Sequence, residues 1–247
     1  MHVPDGFLDA PTSIATGVVA AGGVAFALRK ARTELDDRTA PMAGLVAAFI
    51  FAGQMINFPV GAGTSGHLLG GALAAVLVGP WTGALCISVV LLVQALFMAD
   101  GGITALGTNI VLMGLVGCFS GYLVFRLVAA ALPKRLTSIA PAAAVGALLS
   151  VPIAATVFTL LFAVGGTAPV NTGDVLVAML GWHVVIGIGE AVVTGLVVAS
   201  VVAVRPDLVH GARTLVPAAE LEIRTARPTT RPTTSPTTSP TSTGGAA

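Results

Sequence analysis

The sequence predicts an all-α polytopic membrane protein, and three observations indicate this class. Hydrophobic residues make up 55% of the 247 residues and charged residues only 9%, whereas soluble domains carry about 25% charged residues. The mean hydropathy is +0.94. Several apolar runs approach the ~20 residues that a helix needs to cross a bilayer. We therefore expect a lipid bilayer around the chain and no nucleic-acid partner.

Seven apolar runs are candidates for transmembrane helices. They cover 12–29, 41–58, 67–80, 82–99, 108–130, 139–164 and 175–204. The third run is short and rich in glycine, and only Gly79-Pro80-Trp81 separates it from the fourth. The expectation is about seven transmembrane helices.

The positions of the basic residues predict the orientation. All 12 Lys and Arg residues lie at the end of, or after, the first, fifth or seventh run, and the loops at 59–66, 100–107 and 165–174 contain none. Positively charged loops stay in the cytoplasm. We therefore expect the N-terminus outside and the C-terminus in the cytoplasm.

The chain divides into three predicted segments. Residues 1–10 form an extracytoplasmic N-terminal segment, which is acidic and turn-like and unlike a cleavable presequence. Residues 11–205 form the helical bundle. Residues 206–247 end in Pro/Thr/Ser repeats, and such sequence cannot bury enough surface to fold. We expect this tail to be cytoplasmic and disordered, with no functional role for His210.

The first two residues, Met1 and His2, predict a metal chelate. The α-amine of Met1, the backbone amide of His2 and the His2 imidazole can bind one cation through fused five- and six-membered rings. Planar nitrogen sites suit Ni(II) and Cu(II), and to a lesser degree Co(II). Because His2 is large, Met1 should be retained. The alternative is an unstructured terminus without a role.

His67 is the predicted fourth nitrogen ligand, since it is the only other histidine in an outer loop. The alternative is a histidine that caps a helix or lies at the interface. Imidazole ligands are usually oriented by hydrogen bonds from neighbouring groups. The polar residues expected near this depth are Gln54, Asn57, Ser65, Gln94 and Asn109. Each of them could instead join one helix to another.

Two further features of the apolar runs suggest roles. Gly17, Ala21 and Ala25 form a stripe of small residues in the first run, which could dock a partner helix or pack within the chain. His183 and Glu190 lie seven residues apart in the last run and thus on one helical face. This intramembrane polar pair could couple transport to protons, or could form structural hydrogen bonds.

Three motifs resemble the CbiM/NikM family, whose members are substrate-capture (S) components of cobalt and nickel energy-coupling-factor (ECF) transporters. The motifs are MHVPDGFL at 1–8, NFP at 57–59 with GTSGHLLGG at 63–71, and ADGGITALGTN at 99–109. The resemblance extends from Met1 to about Val204.

This resemblance implies an S-component fold with a Co(II) or Ni(II) site made by Met1, His2 and His67. It also implies a transmembrane coupling (T) protein, cytoplasmic ATPase subunits and often a small auxiliary membrane subunit, in the cell membrane of a prokaryote. Cobalt would serve cobalamin synthesis. The metal is the transported substrate, and no prosthetic group is expected.

We expect no enzymatic activity in this chain. Lys30 and Lys134 are its only lysines, and neither lies in a Gly-x-x-x-x-Gly-Lys-Ser/Thr loop, so ATP hydrolysis is expected in partner subunits. One alternative is a stand-alone divalent metal carrier that works without ATPases. A remote alternative is an intramembrane serine protease with Ser65 as nucleophile and His183 as base.

Overall fold

The computed structural model describes residues 2–35, 39–61 and 64–216, and helices form almost all of its regular structure. The α-helices of this part are α1 (Ala10–Glu34), α2 (Ala40–Gln54), α3 (Gly71–Val78), α4 (Pro80–Val93), α5 (Leu106–Asn109), α6 (Cys118–Ala131), α7 (Ile139–Gly165) and α8 (Thr172–Val204). Gln94–Met98 continues α4 as a π-helical turn, and Ile110–Gly117 joins α5 to α6 in the same way. A two-stranded antiparallel hairpin, β1 (Phe58–Gly61) and β2 (Thr64–Gly66), lies between α2 and α3. The all-α prediction is confirmed.

Five helical stretches of the described residues are long and apolar enough to cross a membrane. They are Ala10–Glu34, Pro80–Met98, Leu106–Ala131, Leu136–Gly165 and Thr172–Val204. The chain is therefore a polytopic membrane protein.

The predicted second and third spans are shorter than expected. Helix α2 has 15 residues, and α3 has 8. At 1.5 Å per residue, α3 covers about 12 Å, far less than the ~30 Å of a hydrocarbon core. All residues of α3 are buried, so this apolar run is a core helix preceded by irregular chain. Hydropathy alone does not distinguish these two structures, because both are apolar.

The N-terminal segment is bonded to the connection between α7 and α8. The backbone N–H of Asp9 donates to the carbonyl of Gly165 at 2.7 Å, and the N–H of Thr167 donates to the carbonyl of Phe7 at 3.1 Å. Asp9 also caps α1, because its carboxylate accepts from the N–H of Thr12 at 2.9 Å. These bonds fix residues 7–9 at one end of the bundle.

Glu34 joins three elements at the opposite end of the bundle. Its carboxylate accepts from the N–H groups of Trp81 at 3.2 Å and Thr82 at 2.7 Å, at the start of α4. The guanidinium of Arg213 donates to the Glu34 carbonyl at 2.6 Å. The end of α1, the start of α4 and the segment after α8 therefore meet here.

Residues 206–216 differ from the predicted disorder. Pro206–Leu208 and His210–Ala212 form 3-10 turns, and Val209 and Ala212 are fully buried. The His210 ring lies 5.8 Å from that of Tyr122, and burial lowers the pKa of His210 to about 4. The folded bundle thus extends about ten residues beyond the predicted boundary at 205, because a few apolar side chains anchor a polar segment. Residues 217–247 lie outside the described part.

Candidate metal site

The structure brings His2 and His67 together in the bundle. Their ring centroids are 4.4 Å apart with an interplanar angle of 30°, and the exposed fractions of the two residues are 4% and 0%. The Nε2 atom of each ring is buried and has no hydrogen-bond partner among the described residues. Met1 lies outside those residues, so its amine is not described.

Gln94 adds a third buried polar group next to the two histidines. Its side chain lies beside the His2 imidazole without the geometry of a hydrogen bond, and it is fully buried. Neither its amide nitrogen nor its amide oxygen has a hydrogen-bond partner in the described part of the chain. A buried polar group without a partner costs about 1–3 kcal/mol. Several such groups in one place indicate that a ligand completes the cluster.

His67 has the tautomer that a metal ligand needs. Its Nδ1 atom lies 2.6 Å from the Leu68 carbonyl, which accepts only if Nδ1 carries the proton. Nε2 then carries no proton, and its electron pair is free to bind a cation. Burial holds the pKa of His67 well below its usual value, so the ring stays neutral at physiological pH and is available to a cation.

Asp100 is the partner of the His2 ring. Nδ1 of His2 lies 2.8 Å from one carboxylate oxygen of Asp100, and the Asn57 amide donates to the other oxygen at 3.0 Å. Burial raises the pKa of Asp100, but the hydrogen bonds from His2 and Asn57 outweigh it and leave this pKa below its usual value. Burial also lowers the pKa of His2, although the bond to Asp100 opposes this. Asn57 thus acts on His2 through Asp100.

Asn109 holds the backbone of the residue after His2. Its amide oxygen accepts from the Val3 N–H at 2.8 Å, and its amide nitrogen donates to the Val3 carbonyl at 3.2 Å. Gly101 permits this contact, because its φ is +88° and an added Cβ would lie 3.1 Å from the Asn109 amide and 3.4 Å from the His2 ring. Asn109 therefore sets the depth at which His2 enters the bundle.

Replacing Asn109 by Ala is expected to weaken Ni(II) binding by roughly 10- to 100-fold, the usual effect of losing a group that orients a metal ligand. Both hydrogen bonds to Val3 would be lost, so His2 would no longer be held at its depth. Calorimetric titration measures the change. Asn171→Ala is the matched control, because Asn171 caps α8 by accepting from the Gly173 N–H at 2.7 Å. If Asn109→Ala binds as tightly as that control, Asn109 does not position His2.

Asp5 fixes the turn that follows Val3. One of its carboxylate oxygens accepts from the N–H of Thr104 at 2.8 Å and from the Thr104 hydroxyl at 2.5 Å. These hydrogen bonds lower the pKa of Asp5. The N-terminal segment is thus hydrogen-bonded to residues 100–109 at two points, through Val3 and through Asp5.

His183 and Glu190 are both fully buried on α8, and each has another partner. The His183 Nδ1 atom lies 2.7 Å from the Met179 carbonyl. The two oxygens of Glu190 accept from the N–H groups of Leu69 at 2.8 Å and Gly70 at 2.9 Å. No hydrogen bond joins His183 to Glu190 in the described part, so the structure gives no support to the predicted pair as a proton-exchanging unit.

The predicted docking stripe on α1 is divided. Gly17 is partly buried, and an added Cβ on Gly107 would collide with its Cα, so this glycine serves packing within the chain. Ala21 and Ala25 are exposed. Only these two remain available as a docking face.

Sequence reasoning assigned no ligand-holding role to Asp100, and it placed Gln54 near the depth of the site without a specific contact. The Gln54 amide donates to the Leu69 carbonyl at 2.7 Å, close to His67. Gln54, as a buried amide in an apolar run, and Asp100, as an acid at the end of one, both carried a detectable signal. Ser65 was predicted to lie near the site, but its side chain lies outside the described part.

Side chains alone do not complete a metal site here. Among the described residues, no group of three or more His, Cys, Asp or Glu side chains could hold a metal ion. Two imidazoles therefore need further donors, and main-chain nitrogens of the N-terminal segment are the nearest in sequence to His2.

Comparisons with known proteins show which family this chain resembles. The model of the family "CbiM: Cobalt uptake substrate-specific transmembrane region" matches residues 2–208. A protein of Haloquadratum walsbyi is 38% identical over 209 residues, which cover 85% of this chain and 93% of that protein. The fused nickel transport protein NikMN of Rhodobacter capsulatus is 42% identical over 127 residues, which cover 51% of this chain and 37% of that protein.

A solved structure has the same fold. The crystal structure of a truncated transition metal transporter superposes with a TM-score of 0.71 at 33% identity, over 82% of this chain and 99% of that one. The family model, the sequence similarity and the shared fold together show that the chain belongs to the CbiM family.

Proposed function

We propose that this chain captures Ni(II) or Co(II) as the transported substrate, with nitrogen ligands from Met1, His2 and His67. The observation that carries the proposal is the buried pair of imidazoles, 4.4 Å apart, in which the Nε2 atom of His67 has no partner among the described residues and is free to bind a cation. The match to a cobalt-uptake family model supports the same substrate class. The transported ion is the only metal that the proposal requires.

The Met1 amine and the His2 amide supply the remaining nitrogens, a ligand set that requires a free amine on Met1. The amide nitrogen and His2 Nδ1 close the six-membered ring of such a chelate. In the structure Nδ1 contacts Asp100 at 2.8 Å, so chelation requires this hydrogen bond to break. Asp100 therefore competes with the cation for Nδ1, while its negative charge attracts the cation toward the site.

The charge pattern supports an outward-facing site. Arg213 contacts the carbonyl of Glu34 at the bundle end opposite to His2, and Arg29, Lys30 and Arg32 lie in the last turns of α1. Basic residues of short loops favour the cytoplasm. The metal site then faces outside, where a nutrient cation arrives.

Uptake is proposed to depend on partner subunits in the cell membrane of a prokaryote. These are a transmembrane coupling protein and cytoplasmic ATPases, often joined by a small auxiliary membrane subunit. The exposed Ala21 and Ala25 on α1 offer a surface for close helix contact. Uptake of radioactive nickel by cells with and without the coupling and ATPase genes tests this dependence. Equal uptake in both would support a stand-alone carrier instead.

Competition binding on purified, untagged protein tests the substrate class. Ni(II) and Co(II) are expected to bind with a stoichiometry of about one, and more tightly than Zn(II), because Zn(II) prefers tetrahedral sites. Tighter binding of Zn(II) than of either metal would contradict the proposed planar nitrogen site.

Proton release gives a second test of the ligand set. Near pH 7 the amine, whose usual pKa is about 7.7–8.0, and the amide must each lose a proton, so about two protons should leave per Ni(II). The apparent affinity should then fall about 100-fold for each pH unit below 7. Titration in buffers of different ionisation enthalpy counts these protons. Binding by the two neutral imidazoles alone would release almost none.

A further inference from the structure

Glu190 links α8 to the segment that carries His67 through two hydrogen bonds. Its side chain is fully buried, and its two carboxylate oxygens accept from two consecutive backbone groups, the N–H of Leu69 at 2.8 Å and the N–H of Gly70 at 2.9 Å. Both acceptors of this buried acid are thus used by the main chain.

The two N–H groups belong to irregular chain inside the bundle. Residues 67–70 connect β2 to α3 and lie in no helix or strand. A buried N–H without an acceptor is costly, more so where lipid replaces water. The backbone carbonyls of a helix accept hydrogen bonds within the helix itself and are not available to a neighbouring segment. An acidic side chain on α8 therefore provides the acceptors.

The same connection is held from its other side by α2. The amide of Gln54 donates to the Leu69 carbonyl at 2.7 Å. Gly70 has a φ of +75°, and an added Cβ there would lie 2.8 Å from the Ile50 side chain. Leu69 and Gly70 are therefore held between α2 and α8, two and three residues after His67.

We infer that Glu190 is a positioning residue, which holds His67 Nε2 opposite His2 through the Leu69–Gly70 backbone. This inference rests on the proposed function. A carboxylate is expensive within a membrane bundle, and its placement here is explained by the need for two acceptors on one side chain. Glutamine offers one acceptor oxygen, so Glu190→Gln keeps at most one of the two bonds.

The experiment combines Glu190→Gln with His67→Ala in a double-mutant cycle on Ni(II) affinity. Glu190→Gln is expected to weaken binding by about 10- to 100-fold. The double variant is expected to bind within about 2-fold of His67→Ala alone, because a residue that acts through His67 has nothing left to position. The visible ligand-field bands of bound Ni(II) should shift to lower energy in all three variants, as one nitrogen is lost.

Glu34→Gln is the matched control. Glu34 is also a buried acid that accepts from two consecutive backbone N–H groups, those of Trp81 and Thr82, at the far end of the bundle. This control should lower the melting temperature but leave Ni(II) affinity within about 2-fold and its spectrum unchanged. Loss of binding in Glu34→Gln equal to that in Glu190→Gln would mean that both act through stability alone, and would overturn the inference.

Two other results would also overturn it. Wild-type affinity in Glu190→Gln, with weakened binding in His67→Ala, would leave the proposed ligands standing and remove Glu190 from the site. If the fold-losses of Ni(II) affinity in the two single variants multiply in the double variant, Glu190 has an independent role, such as proton transfer. If His67→Ala itself binds normally, the ligand set under the proposed function fails first.

If Glu190→Gln does not fold, Glu190→Asp is the substitute variant, because its side chain is one methylene shorter. It should show the same spectral shift, and a wild-type spectrum would contradict the inference.

Discussion

Eight glycines placed before Met1 are expected to weaken Ni(II) binding by more than the roughly 100-fold that losing an orienting group costs. The extension converts the Met1 amine into an amide and moves the free amine eight residues away, whereas a single glycine would create Gly-Met-His, whose amine, two amides and imidazole can form a new four-nitrogen chelate. The five-membered ring between amine and His2 amide then no longer forms with the same nitrogen. The proposed site would keep the imidazoles but lose a strong donor. Calorimetric titration of extended and untagged proteins measures the difference.

The control for this change is an equal extension that leaves the amine where it is. Additional glycines beyond residue 247 change the chain length without touching the N-terminal segment, and we expect wild-type affinity. Equal affinity in the N-terminally extended protein would show that the Met1 amine is not a ligand. The two imidazoles, joined by other donors, would then have to explain binding.

His67→Ala is expected to weaken Ni(II) binding to a similar extent, again by more than the roughly 100-fold effect of an orienting group. The alanine removes one of two imidazoles whose rings lie 4.4 Å apart, and it leaves the amine, amide and imidazole of residues 1 and 2. Water is then the expected fourth ligand. Competition with a chromophoric chelator measures affinities in the required range.

His210→Ala is the matched control, since it removes a different histidine, which is partly buried at the opposite end of the bundle. We expect unchanged Ni(II) affinity with a modest loss of thermal stability, because the His210 ring packs near Tyr122. A large loss of affinity in His210→Ala, or none in His67→Ala, would contradict the assignment of His67 as a ligand.

The sequence was sufficient to predict which histidines approach each other. Composition indicated the membrane class, the basic loops separated the two bundle ends, and His67 was the only outer histidine besides His2. The structure places these two rings together. Each inference used a property that is local in the chain, such as charge, hydropathy or residue type.

Pairings between distant residues could not be predicted in the same way. Glu190 contacts Leu69 and Gly70, which lie 121 and 120 residues earlier, and no local pattern specifies this. Asp100 could equally have ended a helix without touching His2. The 8-residue length of α3 was missed because apolar irregular chain and apolar helix have the same hydropathy. Tertiary packing determines all three.

X-ray absorption at the nickel edge of the loaded, untagged protein tests the central claim most directly. The proposed ligand set predicts four nitrogen neighbours in one plane, and a low-spin, diamagnetic Ni(II) ion. In His67→Ala one of these nitrogen neighbours should be replaced by oxygen. A six-coordinate, paramagnetic ion with mostly oxygen neighbours in the unmodified protein would contradict capture by Met1, His2 and His67.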